Sequence, residues 1–307
     1  MRAFIFPGQG SQSVGMGKAL AEASQVAREL FGEVDEALKQ NLSRLMADGP
    51  IEELTLTENA QPAIMANALA TLRTAGIEVR GKADFVAGHS LGEYSALCAA
   101  RSLDLATTAR LLKLRGQAMQ AAVPVGEGAM AALLGANLDV AQAIAEAAAE
   151  GDVCTVANDN DPTQVVISGH RAAVERALLI AKEKGAKRAV LLPVSAPCHS
   201  PLMEPAARAM EQALADADLA DPAVQLYANV IAGPVSDADE IRRLLVEQVT
   251  GMVRWRESVA AMADAGVSHF VEFGGKVLGP MVKRIVPDAN VTSVVTMDDI
   301  DALVKEI

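Results

Sequence analysis

The stretch DFVAGHSLGEYSALCAA, residues 84–100, places a serine between two glycines where two different patterns meet. Residues 84–88 are a short apolar run typical of a buried strand, and residues 91–100 have the composition of a helix. A strand, a tight turn and a helix are what a nucleophile elbow requires, with small residues beside the serine. The backbone N–H of Leu91 could then stabilise an oxyanion. The alternative is that Ser90 is a helix N-cap, whose hydroxyl accepts a free backbone N–H.

Strand and helix patterns alternate on either side of this stretch. Short apolar runs at 4–6, 269–275 and 291–295 are typical of strands, and residues 62–75 have the three- and four-residue apolar spacing of a helix. Such alternation predicts an α/β protein whose parallel sheet is covered by helices on both faces.

The middle of the chain has a different order. Strand patterns at 129–134, 153–157, 164–168 and 187–192 enclose helical patterns at 139–150 and 171–184. The resulting order, βαββαβ, is that of a ferredoxin-like unit. We therefore expect a small ferredoxin-like subdomain, residues 125–194, inserted into a large α/β domain made of residues 1–124 and 195–307. A cleft between the two is the expected ligand site.

Composition excludes several classes of protein. The chain has 307 residues, of which 51% are hydrophobic and 21% charged, as in soluble globular proteins. A net charge of −12 argues against a nucleic-acid surface. No apolar run is long enough for a membrane span, and no basic and apolar leader opens the sequence. Three scattered cysteines, Cys98, Cys154 and Cys198, lack metal-binding spacing and indicate a reducing cytoplasm.

A serine nucleophile needs a base, and the chain has four histidines. The side chain of His89 should diverge from that of its neighbour Ser90. His170 begins a predicted helix, and His269 lies within a predicted strand. His199 follows a strand in a proline-flanked loop, and loops at strand ends carry chemistry more often than strand interiors do. By elimination, His199 is the candidate base.

One arginine lies on the apolar face of its predicted helix. In the helix predicted at 106–122, one face is formed by Arg110, Lys113, Gln117 and Gln120. Arg115 projects from the opposite face, among apolar residues. A buried charge must be paired, because an uncompensated one costs several kcal/mol. The partner is either an acid of the protein, such as Glu93, or a substrate carboxylate held by a bidentate clamp.

The motifs together resemble a known family. FPGQGSQ (6–12), GHSLGEYSAL (88–97), Arg115 and SAPCHSPLM (195–203) are similar to the malonyl-CoA:acyl carrier protein transacylases of bacterial fatty acid synthesis. QVTGMVRW (248–255) and GGKVLGPMVKR (274–284) extend the resemblance along the chain in the family's order. The same motifs resemble acyltransferase domains of polyketide synthases and a subunit of malonate decarboxylase. The family's architecture is an α/β-hydrolase-like core with a ferredoxin-like insertion, which agrees with the division above.

The resemblance implies a role for each catalytic position. Ser90 would carry the malonyl group as an ester, with His199 as general base and acid. The backbone N–H groups of Gln9 and Leu91 would form the oxyanion hole. Gln248 would orient His199 through its backbone carbonyl, in place of a triad carboxylate.

It also implies residues that bind the substrate. Arg115 would pair with the free carboxylate of the malonyl group. Gln61 and Asn160 match positions that line the pocket, although turn or helix capping would explain both residues as well. The implied partners are malonyl-CoA and acyl carrier protein, without a cofactor beyond the coenzyme A thioester that is the substrate.

Two departures from the family pattern bear on the substrate. Cys198 stands where many relatives have phenylalanine, which leaves malonyl and methylmalonyl groups both open, although Leu91 favours malonyl. Gly251 and Met252 replace the usual Ser-Pro in the loop that orients the histidine. A serine esterase or thioesterase would share Ser90 and His199, and a carrier-binding scaffold would need neither.

Acyl carrier proteins are acidic, so docking on this acidic chain needs a local basic surface. One candidate set comprises Arg171, Arg176, Lys182, Lys184, Lys187 and Arg188. The other comprises Lys276, Lys283 and Arg284. Both could flank the cleft.

Overall fold

Two separate sheets organise the computed structural model, which describes residues 1–194 and 196–307. The strands, in chain order, are β1 Arg2–Phe6, β2 Phe85–Gly88, β3 Gly128–Leu134, β4 Cys154–Asp161, β5 Gln164–His170, β6 Arg188–Leu191, β7 Gln225–Ala228, β8 Gly233–Val235, β9 His269–Phe273 and β10 Asn290–Val294. The larger sheet has the order β10-β9-β1-β2-β7-β8 and is parallel except for the edge strand β8. The smaller sheet has the order β4-β5-β3-β6 and is antiparallel.

Helices connect the strands of both sheets. In chain order they are α1 Lys18–Ala23, α2 Gln25–Leu38, α3 Leu42–Asp48, α4 Ile51–Thr55, α5 Thr57–Thr74, α6 Gly92–Ala99, α7 Leu105–Ala121, α8 Leu138–Ala149, α9 Arg171–Ile180, α10 Glu204–Asp216, α11 Ala238–Thr250, α12 Trp255–Asp264, α13 Leu278–Ile285 and α14 Met297–Glu306. Among the described residues, no helix has both the length and the apolar character needed to cross a membrane.

The central strand β1 is buried on both faces. Phe4 and Phe6 pack in a core cluster with residues of α5 and α6. Ala3 and Ile5 point the other way, into a cluster that contains Trp255 of α12. Alternate residues of a strand face opposite sides, so helices on both sides of the sheet explain why the whole run is apolar.

The predicted parallel sheet and the order βαββαβ in the middle of the chain are both confirmed. The helix expected at 171–184 is shorter and ends at Ile180, while the strand expected at 153–157 continues to Asp161. Residue 195, where the second domain boundary was expected, lies outside the described residues.

Ion pairs between buried aspartates and partly exposed arginines explain why β4 is longer than its sequence predicts. Asparagine and aspartate are depleted in strands, so residues 158–161 gave no strand signal. Asp159 and Asp161 are nevertheless fully buried, and each lies 2.8 Å from an arginine, Arg256 and Arg284 respectively. The backbone N–H of Asp159 also donates to the carbonyl of residue 253 at 2.9 Å. These contacts hold the small sheet against helices α12 and α13 of the large one.

Candidate active site

Ser90 lies at a sharp turn between β2 and α6. Its φ of 54° is left-handed, which costs about 1–3 kcal/mol in a residue other than glycine. Both flanking glycines are required, because a Cβ on Gly88 would lie 1.9 Å from the backbone of Gly92. A Cβ on Gly92 would lie 2.2 Å from the carbonyl oxygen of Phe6. The strand–turn–helix arrangement predicted around Ser90 is therefore present.

The loop after β6 brings His199 to this serine. Its Nε2 lies 2.8 Å from Ser90 Oγ, and its backbone is also left-handed, with φ of 56°. Its Nδ1 lies 2.8 Å from the carbonyl oxygen of Gln248 and 3.1 Å from that of Gly251. Because carbonyl oxygens can only accept, Nδ1 carries the proton and Nε2 presents a lone pair to the serine hydroxyl.

The environment keeps this imidazole neutral. Burial, followed by the positive charge of Arg115, lowers the pKa of His199 to about 3, although the two carbonyl contacts favour the protonated ring. Near neutral pH the ring is thus neutral, and its Nε2 can accept a proton.

The lowered pKa of His199 predicts how stability depends on pH. Between pH 6.5, the ordinary value, and about 3, the unfolded chain binds a proton at His199 that the folded chain does not. The free energy of unfolding therefore decreases as the pH falls through this range. Compared with a His199→Asn variant, the unmodified protein should lose up to about 1.4 kcal/mol more per pH unit. Urea unfolding at about pH 7.5 and about pH 5 measures this difference, and equal losses would contradict it.

Arg115 completes the surroundings of the serine. It is 1% exposed, and its Nη2 donates to Ser90 Oγ at 3.0 Å and to Gln248 Oε1 at 2.8 Å. Its Nη1 donates to Gln61 Oε1 at 2.8 Å, whereas its buried Nε has no partner among the described residues. Among the described residues, Arg115 forms no ion pair with any carboxylate, and Glu93 is no exception.

A buried polar network supports the serine turn from behind. Asn229 accepts the Ser90 backbone N–H at 2.8 Å and donates to the carbonyl of Gly88 at 2.7 Å. The side-chain amide of Gln248 donates to the Ser90 carbonyl at 3.0 Å and to Glu93 Oε2 at 2.7 Å. Burial raises the pKa of Glu93 to about 7, against the opposing effects of Gln248, the Asn229 backbone and the charge of Arg115.

Sequence reasoning missed this network. Asn229 was not singled out, and Glu93 was considered only as an ion-pair partner of Arg115. The available signal was a glutamate at the third position after Ser90, in the first turn of a helix whose other residues are apolar or small.

The reacting groups open into a cavity of about 210 Å³. Its lining comprises Gln9, Gly10, Gln12, Thr55, Gln61, His89, Ser90, Leu91, Arg115, Met119, Met130, Asn158, Leu192, Pro193, Val194, Cys198 and His199. The backbone N–H groups of Gln9 and Leu91 have no acceptor among the described residues. Because both residues line the cavity, these two donors are candidates for binding a ligand oxygen there.

Of the two predicted pocket residues, one lines the cavity and the other lies behind its wall. Gln61, on α5, lines the cavity and holds Arg115. Asn160 is buried and lies 2.8 Å from His89 Nε2, but His89 rather than Asn160 forms the cavity wall. The neighbouring Asn158 also lines the cavity and was not predicted.

The other candidate side chains lie elsewhere or are unreactive. His170 ends β5, immediately before α9, and accepts the Val153 N–H, and His269 is buried in β9 beside Thr292. Cys198 does line the cavity, but burial raises the pKa of its thiol to about 11, so it is not a thiolate at neutral pH.

Comparison with known proteins agrees with this geometry. The acyl transferase domain family matches residues 3–275. The chain is 46% identical over 288 residues to the malonyl CoA-acyl carrier protein transacylase of Bacillus subtilis (strain 168), covering 92% of this chain and 90% of that protein.

Solved structures of similar proteins have the same fold. The acyl-carrier-protein-S-malonyltransferase of Bartonella henselae is 52% identical, with a TM-score of 0.97, covering 99% of this chain and 98% of the other. A malonyl-transacylase solved in complex with a type II polyketide synthase acyl-carrier protein is 38% identical, with a TM-score of 0.96. The match covers 100% of this chain and 99% of the other. The chain therefore belongs to the acyl transferase domain family and, within it, to the malonyl CoA-acyl carrier protein transacylases.

Proposed function

We propose that this chain transfers a malonyl group from malonyl-CoA to the phosphopantetheine thiol of acyl carrier protein, through a malonyl ester of Ser90, and so supplies fatty acid synthesis. One observation carries the proposal. Ser90 Oγ lies 2.8 Å from the base His199 and 3.0 Å from the buried guanidinium of Arg115. A nucleophile beside a fixed positive charge suits an acyl group that bears its own carboxylate.

The first step forms the ester. His199 Nε2 takes the hydroxyl proton as Ser90 Oγ attacks the thioester carbonyl carbon. The backbone N–H groups of Gln9 and Leu91 stabilise the resulting oxyanion. The C–S bond then breaks, and the leaving sulfur takes the proton from His199, which releases coenzyme A.

The second step reverses the first with a different thiol. His199 removes the proton of the carrier's thiol, and the sulfur attacks the ester carbonyl. The bond to Ser90 Oγ breaks, and the serine recovers its proton from His199. Throughout both steps the carbonyl of Gln248 holds Nδ1, so that Nε2 stays directed at the reacting atoms.

Arg115 binds the free carboxylate of the malonyl group. This carboxylate lies only one methylene beyond the reacting carbonyl, so a donor 3.0 Å from Ser90 Oγ is close enough to reach it. The Nε of Arg115, which has no partner among the described residues, provides a further donor. An esterase or thioesterase acting on neutral acyl groups would have no use for this buried charge.

The proposal also covers the division of the chain into two domains and the cellular compartment of the protein. The serine turn after β2 supports an α/β-hydrolase-like catalytic domain, residues 1–124 and 195–307. The strand order β4-β5-β3-β6 with two helices supports a ferredoxin-like subdomain, residues 125–194. Three free cysteines support a cytoplasmic location.

A pulse and chase with radioactive malonyl-CoA tests the function. The label should first remain with the protein after denaturation and then move to added acyl carrier protein. Release of the label to water at the same rate with and without carrier would indicate a hydrolase. Absence of protein-bound label in a preparation that transfers malonyl would overturn the ester intermediate.

The structure favours one of the two basic sets as the carrier's docking surface. A groove of about 430 Å³ adjoins the cavity and shares Gln9, Thr55 and residues 192–194 with it. Leu56, Val125 and Leu191 are exposed along this groove. Lys187 and Arg188 are exposed just before Leu191 and form no ion pair within the described residues. Arg171 of the same set lines the groove, although it pairs with Glu175, whereas none of Lys276, Lys283 and Arg284 lines it.

Charge reversal at Lys187 and Arg188 should therefore weaken the carrier step selectively. We expect Lys187→Glu with Arg188→Glu to raise the apparent KM for carrier protein by roughly fivefold to thirtyfold, the effect of losing two exposed charge contacts and adding repulsion. Formation of the malonyl ester from malonyl-CoA should change less than twofold, and added salt should raise the unmodified protein's KM for carrier.

A matched control makes the same change in net charge on elements that contribute no residue to the groove. Lys39→Glu with Lys305→Glu alters two exposed lysines, one directly after α2 and one in α14. Lys187 and Arg188, in contrast, lie directly before and at the start of β6, whose Leu191 lines the groove. If this control raises the KM for carrier as much as the first pair does, overall charge and not local docking is responsible.

A further inference from the structure

Glu93 is a buried carboxyl group to which the mechanism above assigns no role. It lies in the first turn of α6, three residues after Ser90, and is 1% exposed. Its Oε2 accepts the side-chain amide of Gln248 at 2.7 Å and the backbone N–H of Asn229 at 3.3 Å. Burying a carboxyl group is costly, so its presence beside the serine turn needs a reason.

The side chain of Gln248 links this carboxyl group to Arg115. Its Oε1 accepts from Arg115 Nη2 at 2.8 Å, while its Nε2 donates to Glu93. A guanidinium can only donate, and Glu93 Oε2 and the Ser90 carbonyl oxygen both accept from the NH₂ group, so these neighbours together select one orientation of the amide. With the amide reversed, its NH₂ would face the guanidinium and its oxygen would face the carboxylate.

Gln248 also connects to the base through its backbone. Its carbonyl oxygen holds His199 Nδ1 at 2.8 Å, and its Nε2 holds the Ser90 carbonyl at 3.0 Å. A single residue thus contacts the nucleophile's backbone, the base and the guanidinium. Whatever fixes its side chain also sets where Arg115 points.

We propose that Glu93 is a positioning residue for substrate selection, which fixes the amide of Gln248 and thereby holds Arg115 in place for the malonyl carboxylate. This inference rests on the proposed function. Glu93 itself touches neither the reacting atoms nor, within the described residues, the guanidinium. Its effect should therefore appear in the preference for malonyl over a neutral acyl group more than in the chemistry common to both.

The test measures kcat/KM for malonyl-CoA and for acetyl-CoA and takes their ratio. Glu93→Ala should lower the ratio about tenfold or more, the range for loss of a hydrogen bond to a charged group. Glu93→Asp keeps a charge but is shorter by one methylene, so it should lower the ratio as well, and it serves if the alanine variant does not fold. Glu93→Gln retains an acceptor oxygen at the same reach and should restore the ratio to within about threefold of the unmodified protein.

A second buried glutamate provides the matched control. Glu272 is fully buried at the end of β9 and accepts backbone N–H groups at the start of α13, at 2.8–2.9 Å. Glu272→Ala should lower thermal stability and leave the malonyl-to-acetyl ratio unchanged, because Glu272 is outside the network around Arg115.

Each result decides a separate point. The positioning role would be overturned if the malonyl-to-acetyl ratio stayed unchanged in both Glu93→Ala and Glu93→Asp. It would also be overturned if Glu93→Gln lowered this ratio as far as the other two variants do. If the unmodified protein does not transfer malonyl at all, the proposed function fails, whatever the Glu93 variants do.

Discussion

Replacing Ser90 by alanine is expected to reduce malonyl transfer on the order of 10⁴-fold or more, the range found when a member of a catalytic triad is removed. The hydroxyl is the atom that would carry the acyl group, and it lies between His199 and Arg115 at 2.8 and 3.0 Å. Steady-state transfer to carrier protein measures the loss. Mass spectrometry of the unmodified protein after mixing with malonyl-CoA should find the malonyl adduct on the peptide that contains Ser90.

Ser95 provides a control of identical chemistry. It lies on the same helix, α6, is fully buried, and its Oγ has no hydrogen-bond partner among the described residues. Ser95→Ala should therefore keep transfer within about twofold, since the hydroxyl it removes makes no bond. A malonyl adduct on another residue, or a Ser90→Ala variant that still transfers at the normal rate, would disprove the ester mechanism.

Site residues could be predicted from the sequence where the residues next to them form a recognisable local pattern. Ser90 lies between glycines at the end of an apolar run, and the structure shows why both glycines are needed there. Arg115 is a charge on an apolar helix face, a pattern readable without any knowledge of the tertiary structure. The two sheets followed from the order of apolar runs for a similar reason, because strand and helix periodicities are local.

Groups that act through the backbone or across long sequence separations have no such pattern. The carbonyl of Gln248 contacts His199 across 49 positions, and any residue type has a carbonyl, so only the family resemblance indicated it. Asn229 reaches Ser90 across 139 positions. The polar run 158–161 was not predicted to be strand, because the arginines that neutralise it come from helices far along the chain.

The same reason explains why the sequence alone could not choose between the two basic sets. Arg284 and Lys187 look alike in the sequence, as exposed cations near the ends of elements. Arg284 is paired with a buried carboxylate, whereas Lys187 is not paired within the described residues. Which cations remain available to an acidic partner is therefore a property of the tertiary structure.

Replacing Arg115 by alanine should change which acyl group is transferred. Loss of one partner of a desolvated charge pair costs about 2–5 kcal/mol, so malonyl transfer should fall roughly 30- to 4000-fold. Transfer of a neutral acetyl group should persist or increase. The Arg115 charge contributes to the low pKa of His199, so its removal raises the basicity of the catalytic imidazole for both substrates. The quantity to measure is kcat/KM for malonyl-CoA and acetyl-CoA with the same preparation.

Arg115→Lys separates charge from geometry. Lysine keeps the positive charge but lacks the planar fork that now reaches Gln61, Ser90 and Gln248 together. Its malonyl-to-acetyl ratio should therefore lie between those of the unmodified protein and Arg115→Ala. If Arg115 instead serves the fold, the alanine variant will unfold at a lower temperature and lose both activities equally. Because the guanidinium has no protein carboxylate as a partner within the described residues, a change in selectivity is the expected outcome.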